Sequence, residues 1–179
     1  MNVMLPSDAG NYHPSQSIAF PFTRSDEVFL PKEPGIYALH LKLRKDANVQ
    51  IGQLGEYYLI AGDYWYTGSA HGPGGLRARL GRHLAGTGKI HWHIDYLRKV
   101  AEVESFFLVV EEQGFKSAPG VSIECVWSKT LASLSGAEIP VRGFGSSDCR
   151  AGCQAHLIWL TGNHPEALVY ETLAQAFHP

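Results

Sequence analysis

The clearest alternation of apolar and polar positions begins after Pro34. From Gly35 to Leu43, the residues Tyr37, Leu39, Leu41 and Leu43 alternate with Ala38, His40 and Lys42, a period of two that predicts a strand with one apolar face. Lys45-Asp46-Ala47-Asn48 supplies a turn. Short strands are expected over Val49 to Gln53, Tyr57 to Ile60 and Tyr64 to Gly68, completing an antiparallel meander. The Gly72-Pro73-Gly74-Gly75 loop then opens onto a helix from about Gly75. His91 to Lys99 turns Ile94, Tyr96 and Leu97 inward, and Val103 to Val110 is rich enough in β-formers for a central strand. Ser122 is a natural N-cap for a helix reaching Leu134, with Ile123, Trp127, Leu131 and Leu134 on one stripe. A strand at His156 to Leu160 follows. Pro165 opens a closing helix in which Val169, Leu173 and Phe177 recur every four residues. This order predicts an α+β fold: a small mixed or antiparallel sheet flanked by helices, which pack on it as a single layer.

Residues 1–27 are polar, punctuated by proline and without a period, and read as a loosely ordered N-terminal arm. Residues 28–179 read as one domain including the C-terminal helix. With 179 residues and 45% hydrophobic positions, the chain can bury one core and is too short for two ordinary domains. The formal net charge is -2, so the molecule as a whole offers nucleic acid no general attraction. One segment departs from that balance. Between Arg77 and Lys99 the basic residues Arg77, Arg79, Arg82, Lys89, Arg98 and Lys99 face a single acid, Asp95, with His83, His91 and His93 interspersed. No signal or transit peptide is indicated and no apolar run approaches membrane-spanning length, so the expectation is a cytoplasmic protein without a membrane role.

Candidate chemistry concentrates in the same segment. Arg79 and His83 stand four apart on the expected helix, which stacks a guanidinium and an imidazole on one face where a phosphate could meet both. Arg77, Arg82, Lys89 and His91 are further candidates for phosphate contacts. The plain alternative is an ordinary solvated helix face. The glycine loop before the helix can offer backbone N–H groups to a phosphate, but it lacks the Gly-Lys-Thr ending of a nucleotide-binding loop. Asp95 reads as structural, accepting from a nearby backbone or histidine donor.

Taken together, Gly35-Ile36-Tyr37, Tyr66-Thr67-Gly68, Arg79, His83 and Glu124 resemble the ordered motifs of the GIY-YIG nucleases over residues 34–125. A narrower resemblance spans residues 34–161. Tyr66-Thr67-Gly68-Ser69-Ala70, the glycine loop, His91-Trp92-His93-Ile94-Asp95-Tyr96-Leu97, Glu124-Cys125, Gly143-Phe144-Gly145-Ser146-Ser147-Asp148-Cys149 and His156-Leu157 look like one branch of that superfamily. Its members occur alone or fused to endonuclease III-type DNA glycosylases. The resemblance implies a metal-dependent DNA endonuclease acting in DNA repair or processing, with Mg2+ or Mn2+ as cofactor, DNA as partner and a glycosylase as a second partner. It implies Tyr37 as general base or water-orienting group assisted by His83, Tyr66 as a positioning group, Arg79 on the phosphate, and Glu124 as the one protein ligand of the cation. A phenol ordinarily titrates near 10, so Tyr37 needs a neighbouring cation to act as a base, a part open to Arg79. Arg77 competes with Arg79 for the catalytic place, because the glycine loop lengthens the interval after Tyr66. A catalytically silent nucleic-acid-binding module that positions a repair partner is the alternative function.

The three cysteines form an odd set that argues for reduced thiols or a metal site. Cys149, Cys153 and His156 have the spacing of a partial zinc site. Cys125 is a fourth candidate, projecting about 100° from Glu124 on a helix. The competing reading is that the cysteines are buried packing and His156 belongs to a hydrogen-bond network. His91 and His93 point apart on a helix and do not suggest a metal.

Overall fold

The computed structural model describes residues 17–21, 30–86, 88–111 and 122–177. Among the described residues, eight strands and four α-helices follow one another as β1 (Ser17–Pro21), β2 (Gly35–Leu43), β3 (Ala47–Ile51), β4 (Gly55–Leu59), β5 (Gly62–Ser69), α1 (Gly75–Ala85), α2 (His93–Leu97), β6 (Glu102–Val110), α3 (Ile123–Ala132), β7 (Ala137–Glu138), β8 (Leu157–Leu160) and α4 (Glu166–Phe177). Six of the strands form one antiparallel sheet in the order β1-β6-β2-β5-β8-β7. The α+β class expected from the pattern is the one observed.

Three features differ from the expectation. First, there is no continuous meander: β2 pairs directly with β5, while β3 and β4 form a separate two-stranded hairpin between them. Each strand was visible as a local pattern, but pairing is a non-local choice, and the longer apolar faces of β2 and β5 match each other. Second, the helices occupy both faces of the sheet rather than one. Tyr37, Leu39 and Leu41 of β2 pack with Leu76 and Leu80 of α1 and Ile94 and Leu97 of α2, whereas Ile36 and Ala38 pack with Ile123, Trp127 and Leu131 of α3 and Leu173 of α4. The first half of β2 is therefore buried on both sides, which its alternation alone concealed. Third, Ser17–Pro21, inside the expected arm, pairs with β6. Residues 1–16 and 22–27 of that arm lie outside the described residues, as do 28–29 and 112–121, where a loop is expected.

The two motif glycines of the central strands are there for space. A Cβ on Gly35 would lie 2.3 Å from the Val109 carbonyl oxygen and 2.7 Å from Leu76 Cδ1, so any larger residue would collide with the β6 backbone and with the side chain of Leu76 in α1. Gly68 sits opposite Tyr37 in the β2–β5 register, and a Cβ there would lie 2.6 Å from the Tyr37 Oη. Among the described residues, no helix is long and apolar enough to cross a membrane.

Candidate active site

Strand alternation sends Tyr37 of β2 and Tyr66 of β5 to the face that carries α1 and α2. Tyr66 pairs with Leu39, two residues beyond Tyr37, and the two phenol rings stand 6.4 Å apart. Helix α1 supplies Arg79 and His83 one turn apart, and α3 brings Glu124 in its first turn. Tyr37, Tyr66, Arg79 and Glu124 line one cleft of about 510 Å³ with His91, Trp92, His93, Asp148 and His156. Gly68 and Gly145 complete parts of its wall.

His83 is not on the wall. It is 1% exposed and stands behind Tyr37, its Nε2 3.0 Å from the Tyr37 Oη. His83 Nδ1 is 3.6 Å from Asp95 Oδ1, too far for a hydrogen bond. Burial, the largest influence, pushes the His83 imidazole down to about 4, with Arg79, Arg82 and Arg98 adding to the fall and Asp95 opposing it. The ring is thus neutral at pH 7, and in the tautomer with its proton on Nδ1, toward Asp95, Nε2 accepts from the Tyr37 hydroxyl.

Tyr37 is itself only 1% exposed, and its phenol is raised well above the ordinary value, first by burial and then by Tyr66. Arg79 acts in the opposite direction, as the sequence suggested, but is outweighed. Tyr66 is raised too, by burial and then Glu124. Both phenols are protonated at neutral pH.

The arginines separate. Arg79 reaches the cleft with its guanidinium 3.9 Å over the Trp92 ring, which fixes its plane. Arg77 turns away and donates from Nε to the Leu30 carbonyl at 2.7 Å. Of the two it is Arg79 that lies on the cleft wall, because helix positions two apart face different ways. Arg82 is engaged by Asp95 at 2.8 Å and by the Lys89 carbonyl, and lies 4.8 Å over Trp92. Lys89 is exposed and, like Arg82, is not on the cleft wall; His91 is. Asp95 plays the structural part expected, accepting the backbone N–H groups of His91 and Trp92 at 2.8 and 3.0 Å.

Glu124 carries the opposite charge into the cleft. Among the described residues its carboxylate makes no hydrogen bond or ion pair, so its oxygens are open to a hard cation. Asp148 shares that wall and was missed by sequence reasoning. It lies in an irregular glycine- and serine-rich stretch with no periodicity to give its side chain a direction. His93 was set aside as a metal ligand, and here its Nδ1 accepts the Gly145 N–H at 3.0 Å, holding the wall.

Beside Glu124 lies the cysteine cluster. Cys125, Cys149, Cys153 and His156 each bring one ligand atom to within 4.8 Å of all the others, an arrangement that could hold a metal such as zinc. A hollow of about 290 Å³ lined by Glu124, Asp148, Cys149 and His156 joins this cluster to the cleft wall.

The family described as Domain of unknown function DUF123 matches residues 36–178. No curated protein and no solved structure gives a match.

Proposed function

We propose that the chain, which belongs to the DUF123 family, is a divalent-metal-dependent DNA endonuclease of the kind its GIY-YIG resemblance implies, a hydrolase of phosphodiester bonds. The observation that carries the reading is the meeting of Tyr37, Tyr66, Arg79 and Glu124 around one cleft, with His83 hydrogen-bonded behind Tyr37. Two phenols, a guanidinium and an uncompensated carboxylate are the groups that a charged diester and its cation require.

In this reading Arg79, its plane fixed on Trp92, meets the phosphate and offsets the charge that builds on its oxygens. Glu124 would hold Mg2+ or Mn2+, and its carboxylate, unpaired among the described residues, fits that part. Such a cation, when bound, neutralises phosphoryl charge and makes a nearby water more acidic. Tyr37 works as a relay rather than as a stored phenolate. As its Oη takes a proton from the attacking water, its own proton passes to His83 Nε2, which is neutral and 3.0 Å away. The water oxygen forms the new bond to phosphorus, the bond on the opposite side breaks, and the leaving oxygen takes its proton from solvent. Tyr66 orients the diester. Arg79 provides the local attraction that the net charge of -2 does not.

A second reading has its own support. With Tyr37 only 1% exposed, access of a water to its oxygen is narrow, which favours a module that binds DNA without cutting it. In either reading DNA repair or processing is the context and an endonuclease III-like glycosylase the partner, as the resemblance implies. The two are separated by incubating supercoiled plasmid and branched DNA with the chain in Mg2+ or Mn2+. Metal-dependent nicking supports the enzyme; retardation of the DNA without nicking, under every metal and substrate, supports the module.

A further inference from the structure

The segment between β7 and β8, residues 139–156, has no regular secondary structure, and it is longer than the roughly 12–15 residues at which such loops become uncommon. It is nevertheless well placed. Val141 and Phe144 are buried in the core, and Gly145 lies against Tyr66, where a Cβ would come within 2.9 Å of the Tyr66 ring. The backbone of the loop folds on itself through Gly143 N–H to Gln154 O at 2.8 Å and His156 N–H to Phe144 O at 2.7 Å. It is bound to α3 by Ser128 Oγ on the Ala155 carbonyl at 2.5 Å and Lys129 Nζ on the Ala151 carbonyl at 2.9 Å. At the centre of this junction sit the three cysteines of the chain and His156.

Their ligand atoms stand near the spacing of one tetrahedral ion. With Zn–S near 2.3 Å and tetrahedral angles, ligand sulfurs stand about 3.8 Å apart and a sulfur–nitrogen pair about 3.5 Å apart. Cys125 Sγ lies 3.2 Å from Cys149 Sγ and 3.5 Å from His156 Nε2, and all four ligand atoms fall within 4.8 Å of one another. A disulfide would need sulfurs about 2.05 Å apart, and the three thiols are free. Three polarisable sulfurs and one imidazole select zinc over the hard cations that suit Glu124. Four protein ligands fill a tetrahedral shell, so no position is left for a reacting water.

We infer that Cys125, Cys149, Cys153 and His156 form a closed Cys3His zinc site that clamps the 139–156 loop to the first turn of α3 and so sets Glu124 and Asp148 against the two tyrosines. The zinc site stands on its own residues; only its effect on Glu124 rests on the nuclease reading. Zinc here is structural, and the cation at Glu124 is a separate, exchangeable one.

The test begins with the full chain purified without chelator and measured for metal by mass spectrometry, where one zinc per chain is expected. Replacement by cobalt should give thiolate-to-cobalt charge transfer and the intense visible bands of a tetrahedral ion. Cys149→Ser, at the partly exposed side of the cluster, should weaken zinc binding by more than the roughly 10–100-fold typical of losing an outer partner. Glu124→Gln should keep its zinc. Metal well below one per chain that reconstitution cannot restore, or a cobalt spectrum without thiolate charge transfer, overturns the site. So does a Cys149→Ser chain that holds zinc as tightly as the wild type. If Cys149→Ser does not fold, the cobalt spectrum of the wild-type chain decides alone. Absence of nicking activity with the zinc present would remove the nuclease reading and leave the clamp intact.

Discussion

Replacing Gly68 with alanine tests the packing that underlies the cleft. The added Cβ would meet Tyr37 Oη at 2.6 Å, Cζ at 2.7 Å and Cε2 at 3.1 Å, all closer than or at the limit of real contacts. The strand is held at Gly68 by its pairing with β2 and, up to Tyr66, by β8. The phenol must move, and with it goes the 3.0 Å bond to His83. Overpacking of this kind costs about 1–3 kcal/mol, and loss of a buried hydrogen bond adds roughly 0.5–1.5 kcal/mol. The expected penalty is therefore about 1.5–4.5 kcal/mol, measured by urea denaturation with the slope checked against wild type. In a Tyr37→Leu background the same change meets a shorter side chain and has no bond to His83 to break, so its penalty should fall close to zero. That non-additivity is the signature of contact. A Gly68→Ala chain as stable as wild type, or an equal penalty in both backgrounds, would refute the reasoning.

Three further outcomes are expected. Arg79→Ala should lower nicking about 10²–10³-fold, whereas Arg77→Ala, which removes a bond to the Leu30 carbonyl, should cost about 1 kcal/mol of stability with the rate little changed; single-turnover rates of the two variants check this. His40 lies between Glu166 at 2.6 Å and Asp63 at 2.9 Å; burial lowers its pKa, yet the hydrogen bonds to the two acids outweigh it and raise the folded value. That stabilisation is complete below the unfolded value of about 6.5 and fades as pH rises through the folded one, while Glu166 and Asp63, both lowered in the fold, lose theirs as pH falls through their folded values. The stability difference between wild type and His40→Ala should therefore shrink as pH rises above about 6.5, read from denaturation midpoints. Trp127→Ala, on the face of the sheet opposite the cleft, should cost about 3–5 kcal/mol in the same assay.

The elements were legible wherever a single chain segment carried its own period. The stripe of Ile123, Trp127 and Leu131 gave α3, and all three are buried. Tyr37, Leu39 and Leu41 gave β2 and the direction in which Tyr37 points. Partnership was not legible. Nothing local in β3 and β4 distinguishes a hairpin beside the sheet from strands within it, and Ile36 and Ala38 do not announce a second helical layer. The site shows the same division. Arg79 and His83 could be paired from their spacing on one helix, but the burial that makes His83 a neutral acceptor behind Tyr37, rather than a cationic partner of a phosphate, depends on α2 and its Trp92. The acids around His40 come from β5 and α4, so no window of sequence contains them together.

The central claim is that residues brought together from β2, β5, α1 and α3 form a working centre for phosphodiester hydrolysis. Its most direct measurement is the single-turnover nicking rate of Glu124→Ala and Tyr37→Phe against wild type in Mg2+, on chains whose folding and DNA binding have been matched. The account predicts that nicking falls at least about 100-fold in both while DNA is still bound. Nicking at the wild-type rate by either variant would contradict it.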